Sequence, residues 1–272
     1  MLKTLQDVEN AEMKNIIHPS AYIATGAILG NGVHVGPFAI IEDRVEIGDG
    51  CNIGPHAIIQ PGVRMGRVNI VHPTAVLGGL PQDLGFKPET ETWLEIGDGN
   101  VFREGVTISR ATKDGGSTRI GNGCYLMSNA HIGHDCHVGD RNIFASNVAL
   151  GGHVGVGDRV FFGGGAVVHQ FCRIGSFAML QGLAGINKDV LPFMMVGGRP
   201  GLHYRLNLVG MRRSGIEGDR LKAVSLPIRR LRDKISLDDL PDTPELAYLR
   251  QWVGVMSKRG ILPFVDIHKD SD

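Results

Sequence analysis

A large apolar residue recurs at every sixth position over most of the chain. The series starts at Ile17 and runs to Met65, resumes from Ile96 to Ile108, and continues from Ile120 to Ile186. A small residue stands four positions after most of these large apolar residues, and a glycine often follows the large residue directly. A period of six does not fit an α-helix, which has 3.6 residues per turn. The pattern predicts short strands separated by tight turns, with one large and one small side chain of each hexad pointing inward.

This pattern resembles the hexapeptide repeat of the left-handed parallel β-helix. The left hand comes from the resemblance, because crossovers between parallel strands are otherwise right-handed. Three hexads form one triangular coil, so residues 18 positions apart lie nearly above one another, about 4.8 Å from layer to layer. The series is interrupted at about 66–95 and about 111–118. We expect loops at both interruptions.

The period of six ends near residue 190, and helical patterns follow it. Residues 215–235 carry apolar side chains at spacings of three and four, with Pro227 marking a kink or a boundary. A further helix is expected to begin after Thr243 and to end at Gly260. The sequence therefore predicts an all-β left-handed parallel β-helix followed by a small α-helical C-terminal domain. The expected parts are an N-terminal extension over 1–15, the β-helix over 16–196 and the helical domain over 197–272.

Composition narrows the function classes. The 28 basic residues balance the 28 acidic residues, whereas a protein that neutralises many phosphates is usually basic, so nucleic-acid binding is disfavoured. No apolar run approaches the length of a membrane span. The N-terminus has acidic residues and no apolar signal region, so we expect a cytoplasmic protein. All four cysteines fall on the small inward position, which predicts small buried side chains rather than disulfides or metal ligands.

Candidate chemistry is concentrated in one histidine-rich segment, Asn129 to His137. With 18 residues per coil, His134, His153 and His169 are expected near one edge of three successive layers. Histidine at near-neutral pH is suited to general-base catalysis, and Asp135 beside His134 would hold its tautomer. Three histidines could instead hold zinc, although such sites usually include a closer ligand pair within one coil. A third interpretation is a scaffold without catalytic activity, in which case the histidine cluster would have no function.

Four segments, taken in order, resemble one family within the hexapeptide-repeat proteins. They are NAHIGHDC (129–136), GGHV (151–154), AVVHQFCRIG (166–175) and the pattern N-x-x-G-M-R-R-x-G (207–215). Together they are similar to the UDP-N-acetylglucosamine acyltransferases that open lipid A synthesis, over about residues 16–260. The resemblance implies a homotrimer with active sites between adjacent subunits. It implies transfer of an R-3-hydroxyacyl chain from acyl carrier protein to the sugar 3-hydroxyl, with the carrier's phosphopantetheine thioester as donor and no metal or other cofactor.

The resemblance also assigns roles to residues. His134 would be the general base, Asp135 its support, and the Gly152 N–H a donor to the oxyanion of the intermediate. Met179 and Gly182 would line the groove for the acyl chain. The residues implied in binding the sugar nucleotide, the pantetheine or the carrier are Gln82, Asp83, Lys87, His131, His153, His169, Gln170, Asn207, Arg212 and Arg213.

Four positions depart from the family pattern. Gly85 stands where a lysine usually follows Gln-Asp-Leu, with Lys87 as a nearby substitute, and Ser109 stands where histidine is frequent. Val209 and Gln181 replace an expected acid and an expected small residue. Acyl-chain length and the choice between a 3-hydroxyl and a 3-amino acceptor therefore stay open. An N-acyltransferase on a related sugar nucleotide is the nearest alternative, and a trimeric zinc hydrase is the alternative from another class.

Overall fold

The computed structural model describes residues 14–266. The chain forms two compact units, one up to Asn129 and one from Ala130 onward. Most of the predicted N-terminal extension lies outside the described residues. The predicted domain division after residue 196 stays a prediction.

In the first unit, short strands form three parallel sheets. The first sheet consists of β1 (Ile16–Ile17), β4 (His34–Val35), β7 (Asn52–Ile53), β10 (Ile70–Val71), β13 (Val101–Phe102) and β16 (Tyr125–Leu126). The second consists of β2 (Tyr22–Ile23), β5 (Ile40–Ile41), β8 (Ile58–Ile59), β11 (Val76–Gly79) and β14 (Thr107–Ser109). The third consists of β3 (Ile28–Leu29), β6 (Glu46–Ile47), β9 (Val63–Met65), β12 (Trp93–Ile96) and β15 (Ser117–Ile120).

The register of these sheets confirms the period read from the sequence. Ile23 pairs with Ile41, and Ile41 pairs with Ile59, so each of these steps is 18 residues, whereas the step that contains the first loop, from Leu77 to Ile108, is longer. The large residue of a hexad and the small residue four positions later are buried, as at Ile41 and Val45. The chain therefore winds as a parallel β-helix whose core is a stack of inward-facing apolar side chains.

Both predicted loops are shorter than the sequence suggested. The coil continues through β10 and β11, so the first loop covers only residues 80–92. The sequence itself keeps the period of six here, at Val71 and Leu77, and only the small inward position departs from the pattern, where Asn69 stands. Its buried amide nitrogen donates to Gly66 O at 3.0 Å and Gly97 O at 2.9 Å, while its oxygen accepts from Asn100 N at 2.8 Å. The second loop covers residues 110–116, because β15 begins at Ser117.

The strands of the second unit fall into three hydrogen-bonded sets. One consists of β17 (His131–Ile132), β20 (Ala149–Leu150), β23 (Val167–Val168) and β26 (Gly185–Ile186). Another consists of β18 (His137–Val138), β21 (Gly155–Val156) and β24 (Arg173–Ile174). The last consists of β19 (Ile143–Phe144), β22 (Phe161–Phe162), β25 (Met179–Leu180), β27 (Met194–Gly197) and the antiparallel β28 (Leu202–Leu206). The inward rings of Phe144 and Phe162 stack with centroids 4.5 Å apart.

Three helices follow these strands: α1 (Leu208–Arg213), α2 (Gly218–Arg232) and α3 (Pro244–Gly254). Pro227 lies inside α2, so it marks neither end of that helix. Thr243 caps α3, as predicted, by accepting from Leu246 N at 3.2 Å. The expected end at Gly260 is wrong, because α3 ends at Gly254. After α3 the chain returns to pair with Asp189 and His203, and His203 is buried in this junction.

All four cysteines are buried and unpaired with one another, as their inward positions predicted. Within residues 14–266, no helix combines the length and the apolar character that crossing a membrane requires.

Candidate active site

The histidine-rich segment lies at one corner of the coils in the second unit, that is, at the turn between two of their sheets. Gly152 and His153 follow His134 and Asp135 by 18 positions, so they occupy the next layer. His153 N donates to His134 O at 2.9 Å, and Phe171 N donates to Gly152 O at 3.1 Å. Asp135, His153 and Phe171 all have left-handed backbone, with φ of 57°, 60° and 66°. This conformation is unfavourable for residues other than glycine, and backbone hydrogen bonds between successive coils hold it in these three layers.

His134 and Asp135 form a hydrogen-bonded pair. The Nδ1 atom of His134 lies 2.8 Å from Asp135 Oδ2, and only 13% and 14% of the two side chains are exposed. Because a carboxylate oxygen can only accept, Nδ1 carries a proton, and in the neutral imidazole the lone pair is then on Nε2. Adjacent residues thus supply a base nitrogen of defined tautomer.

His153 completes the corner. Its Nε2 lies 3.6 Å from the same Asp135 oxygen, and its ring meets that of His134 edge-on at 5.1 Å. Phe171 stacks on the other side of His153, with centroids 4.6 Å apart. His169 lies at the same corner one layer further on, near the edge where it was predicted, but it is exposed. The residue 18 positions after His153 is Phe171, so His169 does not contact the His153 ring from this position.

Gly152 is required at its position for space. A Cβ atom there would lie 2.6 Å from His134 Nε2, so only glycine leaves room for the imidazole. At another corner of this unit, the equivalent N–H groups are occupied, since Asp140 N donates to Asp158 Oδ1 at 2.8 Å and Asp158 N donates to Ser176 Oγ at 2.9 Å. Within the part of the chain that the structure describes, the Gly152 N–H has no hydrogen-bond partner.

The other predicted residues of this corner differ in burial. His131 on β17 is half-buried, and its burial, followed by the nearby charge of His134, lowers the pKa of its imidazole. His131 is therefore neutral at neutral pH. Gln170 is exposed, one layer beyond Gly152 in the same column. His169 Nδ1 lies 3.3 Å from Gln170 O.

The predicted residues near α1 differ in burial: Asn207 is buried, whereas Arg212 and Arg213 are exposed. Asn207 is buried and caps α1, with its Oδ1 accepting from Gly210 N at 3.1 Å and its Nδ2 donating to Phe177 O at 2.9 Å. Arg212 and Arg213, in the last turn of α1, are exposed and form no ion pair with any described residue.

Met179 is half-buried on β25, and Gly182 is exposed just after that strand. A Cβ atom at Gly182 would make only ordinary contact, 3.4 Å from Gly164 O.

Gln82, Asp83 and Lys87 belong to the first unit, on the loop 80–92. All three are exposed, and Asp83 Oδ1 accepts from Gly85 N at 2.8 Å in a local turn. Among the departures from the family pattern, Ser109 is buried at the end of β14, where it pairs with Gly79 at the start of the loop.

Sequence reasoning missed Arg110, which supports this loop. The side chain is 95% buried, its backbone N donates to Gly79 O at 2.9 Å, and its Nη1 donates to Pro61 O at 3.1 Å. Its guanidinium lies 5.9 Å from the ring centroid of Phe86. The Nε of Arg110 is buried without a hydrogen-bond partner in the described residues, as is Thr92 Oγ1. Burial lowers the pKa of Arg110, and the charge of Arg44 adds to the effect. No sequence pattern distinguishes this arginine from an exposed one.

One group of side chains in residues 14–266 could hold a metal ion. It consists of His134, Asp135 and His153, whose ligand atoms lie within 4.8 Å of one another. The arrangement can thus act as a hydrogen-bonded acid–base pair or as a ligand set.

Comparison with known proteins identifies the family. Residues 117–152 match the family model "Bacterial transferase hexapeptide (six repeats)", and residues 189–262 match "Udp N-acetylglucosamine O-acyltransferase; Domain 2". The acyl-[acyl-carrier-protein]–UDP-N-acetylglucosamine O-acyltransferase of Halorhodospira halophila is 43% identical over 92% of this chain and 96% of its own. The chain belongs to the UDP-N-acetylglucosamine O-acyltransferase family.

Further relatives and solved structures agree with this membership. The O-acyltransferase of the same name from Agrobacterium fabrum is 38% identical over 90% of this chain and 94% of its own. The crystal structure of the O-acyltransferase from Moraxella catarrhalis has a TM-score of 0.86 and 38% identity, covering 90% of this chain and 99% of that one. The left-handed parallel β-helix with a small helical C-terminal part, expected from the sequence, is thereby confirmed.

Proposed function

We propose that this protein transfers an R-3-hydroxyacyl chain from acyl carrier protein to the 3-hydroxyl of UDP-N-acetylglucosamine, the first step of lipid A biosynthesis. The observation that carries the proposal is the His134–Asp135 pair beneath Gly152. It lies in a chain whose named relatives are O-acyltransferases acting between acyl carrier protein and this sugar nucleotide.

His134 acts as the general base in this mechanism. Its Nδ1–H is held by Asp135, so the Nε2 lone pair is available to take the proton of the sugar 3-hydroxyl. The imidazolium that forms is stabilised by the Asp135 carboxylate. The deprotonated oxygen attacks the thioester carbonyl of the donor.

Gly152 supports the tetrahedral intermediate. Its N–H, without a partner in the described residues, is free to donate to the oxyanion that develops on the carbonyl oxygen. Collapse of the intermediate then breaks the C–S bond. The phosphopantetheine thiolate leaves and takes its proton from His134.

No covalent intermediate on the enzyme is required. Burial raises the pKa of the Cys136 thiol to about 12 and that of the Cys172 thiol to about 11. Buried thiols of this kind carry almost no thiolate at neutral pH and are poor nucleophiles. Direct transfer from the carrier to the sugar is therefore the consistent route, with no metal or further cofactor.

The remaining predicted residues bind the two substrates in this proposal. Gln82, Asp83 and Lys87 contact the acceptor, and His131, His153, His169 and Gln170 contact the sugar, its phosphates and the pantetheine. Arg212 and Arg213 pair with phosphates or with the acidic surface of the carrier protein, because guanidinium groups pair well with oxyanions. Asn207 contributes mainly by capping α1 beside these arginines. We expect the reaction to take place in the cytoplasm.

A homotrimer is part of the proposal, and the outward faces of the first unit support it. Exposed residues of the first two sheets include the apolar side chains of Ile16, Tyr22 and Ile70. The third sheet exposes Ile28 as well, and it also carries ion pairs between Arg64 and Glu46 and between Arg119 and Glu95. Exposed apolar side chains on more than one face are what a protomer needs to contact two neighbours in a closed ring. Light scattering should give three chains per particle.

A mass-spectrometric transfer assay tests the activity. Purified protein is incubated with UDP-N-acetylglucosamine and a ladder of 3-hydroxyacyl carrier proteins of increasing chain length, and a 3-O-acylated product is expected. His134→Ala serves as the catalytic control, while Gly182→Met should shift the preferred donor to a shorter chain by filling the groove. Wild-type protein that acylates only the 3-amino analogue, or neither acceptor, would contradict the proposed acceptor.

A further inference from the structure

The corner that holds the general base also presents three ligand atoms of a metal site. Asp135 Oδ2 lies 2.8 Å from His134 Nδ1 and 3.6 Å from His153 Nε2. All three atoms lie within 4.8 Å of one another. In a tetrahedral zinc site with bonds of about 2.0–2.2 Å, ligand atoms are roughly 3.3 Å apart. Small side-chain rotations therefore convert the hydrogen-bonded pair into a ligand set.

The chemistry and rigidity of these ligands favour a transition ion. Two imidazoles and one carboxylate suit zinc and its neighbours in the first transition row better than magnesium or calcium. The His153 ring is held between His134 and Phe171, so little side-chain freedom is lost on binding. About 30% of the His153 side chain is exposed, which leaves an approach from solvent and a position for a water ligand.

We infer that His134, Asp135 and His153 bind one divalent transition ion and that the bound ion inhibits acyl transfer by fixing the wrong tautomer of His134. An ion on Nδ1 takes the place of the proton that Asp135 normally holds there. That proton then resides on Nε2, the nitrogen that must accept the proton of the sugar hydroxyl. A metal-bound His134 therefore has no lone pair for catalysis.

Direct binding tests the site without using the reaction. Cobalt(II), whose visible spectrum reports tetrahedral coordination, is titrated into the wild-type protein, and zinc is then used to displace it. One ion per chain is expected, and His134→Ala, Asp135→Ala and His153→Ala should each weaken binding by at least tenfold. His137→Ala, a nearby exposed histidine on β18, is the matched control and should bind as the wild type does. Unchanged binding in His153→Ala, or an equal loss in His137→Ala, would overturn the site.

Kinetics test the proposed mechanism of inhibition, which rests on the proposed function. Zinc should lower kcat by tenfold or more even at saturating UDP-sugar, and a chelator should restore the rate. The KM for the UDP-sugar can rise as well, because His153 also contacts substrate in the proposed mechanism. An increase in KM with unchanged kcat would mean that the ion blocks the acceptor and would overturn the tautomer mechanism. If the wild-type protein transfers no acyl group to either acceptor, the proposed function fails, while the cobalt titration still decides the metal site.

Discussion

The corner around His134 and the loop 80–92 hold predicted functional residues by different means. At the corner, the repeat itself places each side chain, because backbone hydrogen bonds link His153 to His134 and Phe171 to Gly152. In the loop, Gln82 and Asp83 lie on an exposed turn. That turn is supported by side chains, chiefly the buried Arg110 and the ion pair of Arg44 with Glu91.

This difference separates two tasks of the enzyme. General-base catalysis needs a geometry fixed within a fraction of an ångström, which a repeated backbone ladder provides. The proposed recognition of the acceptor relies on a loop with few anchors, which can change without disturbing the coils. Substitutions at the corner should therefore alter kcat, and substitutions at the loop anchors should alter KM.

The largest effect is expected from His134→Ala. Loss of the base should lower kcat by roughly 10²–10⁴-fold, the usual contribution of general acid–base catalysis. Thermal unfolding should be close to that of the wild type, since the ladder does not depend on the imidazole. The measurement is steady-state kinetics together with a melting curve, and His137→Ala is the control. A full kcat in His134→Ala would remove His134 from the mechanism.

Gly152→Ala tests whether catalysis depends on the room that Gly152 leaves for the His134 ring. The added methyl group would meet the His134 ring, so the base must shift and kcat should fall by about 10²-fold. Gly155→Ala is the matched control in the same unit, because its Cβ would lie 4.0 Å from the nearest atom. Equal activities in the two variants would show that the close approach of Gly152 to His134 is not needed.

Arg110→Met tests the loop. Because the guanidinium is buried without a carboxylate partner, replacing it with an apolar side chain should leave the free energy of unfolding unchanged or raise it. Loop 80–92 should nevertheless lose an anchor, so the KM for the UDP-sugar should rise about tenfold, equivalent to ~1.4 kcal/mol, with kcat little changed.

Hydrogen exchange gives a second readout for the same variant. Amides of residues 80–92 should exchange faster in Arg110→Met, while those of β9 and β12 remain protected. Arg119→Met, at an exposed arginine of the third sheet, should change neither KM nor loop exchange. Faster exchange throughout the unit would instead identify Arg110 as a residue of general structural importance.

The smallest effect on activity near neutral pH is expected from substitution of His203. Its effect should instead appear in how the free energy of unfolding depends on pH. Its Nε2 accepts from Leu191 N at 2.9 Å, and its Nδ1 lies 3.0 Å from Leu262 O. Burial lowers the pKa of His203 to about 4, from an ordinary value of 6.5. In that interval the unfolded chain binds a proton that the folded chain does not. The stabilisation is therefore complete above pH 6.5 and is lost as the pH falls towards 4.

Denaturant unfolding at several pH values measures this dependence. The free energy of unfolding should fall by a few kcal/mol between pH 6.5 and pH 4 on account of this group. His203→Gln, which does not titrate, should show a shallower fall. Equal slopes in the two proteins would show that other groups control the acid sensitivity.

The coils were predictable because their period is strict. Inward residues such as Cys136 follow from position alone, and the register of 18 places Gly152 beside His134. The same rule places His169 at this corner but puts Phe171, 18 positions after His153, against the His153 ring. The apolar period in fact continues through Val71 and Leu77, and Asn69 fills the small inward position by hydrogen bonds that the sequence does not display.

Features set by single contacts were harder to predict. Arg110 follows no repeat, and its burial results from the path of loop 80–92. The end of α3 at Gly254 rather than at Gly260 depends on how the following segment returns to Asp189 and His203. Such details arise from packing between distant parts of the chain, which local patterns do not encode.

The 18-residue register also limits how the length of this protein can change. Removing one residue from a coil would move every later side chain by one position and turn inward residues outward. Removing a whole coil would keep the orientation of all remaining residues. Insertions and deletions that preserve folding should therefore come in multiples of 18 within the coils, or in any number within 80–92 and 110–116. A comparison of sequence lengths among functional relatives should show these preferred steps.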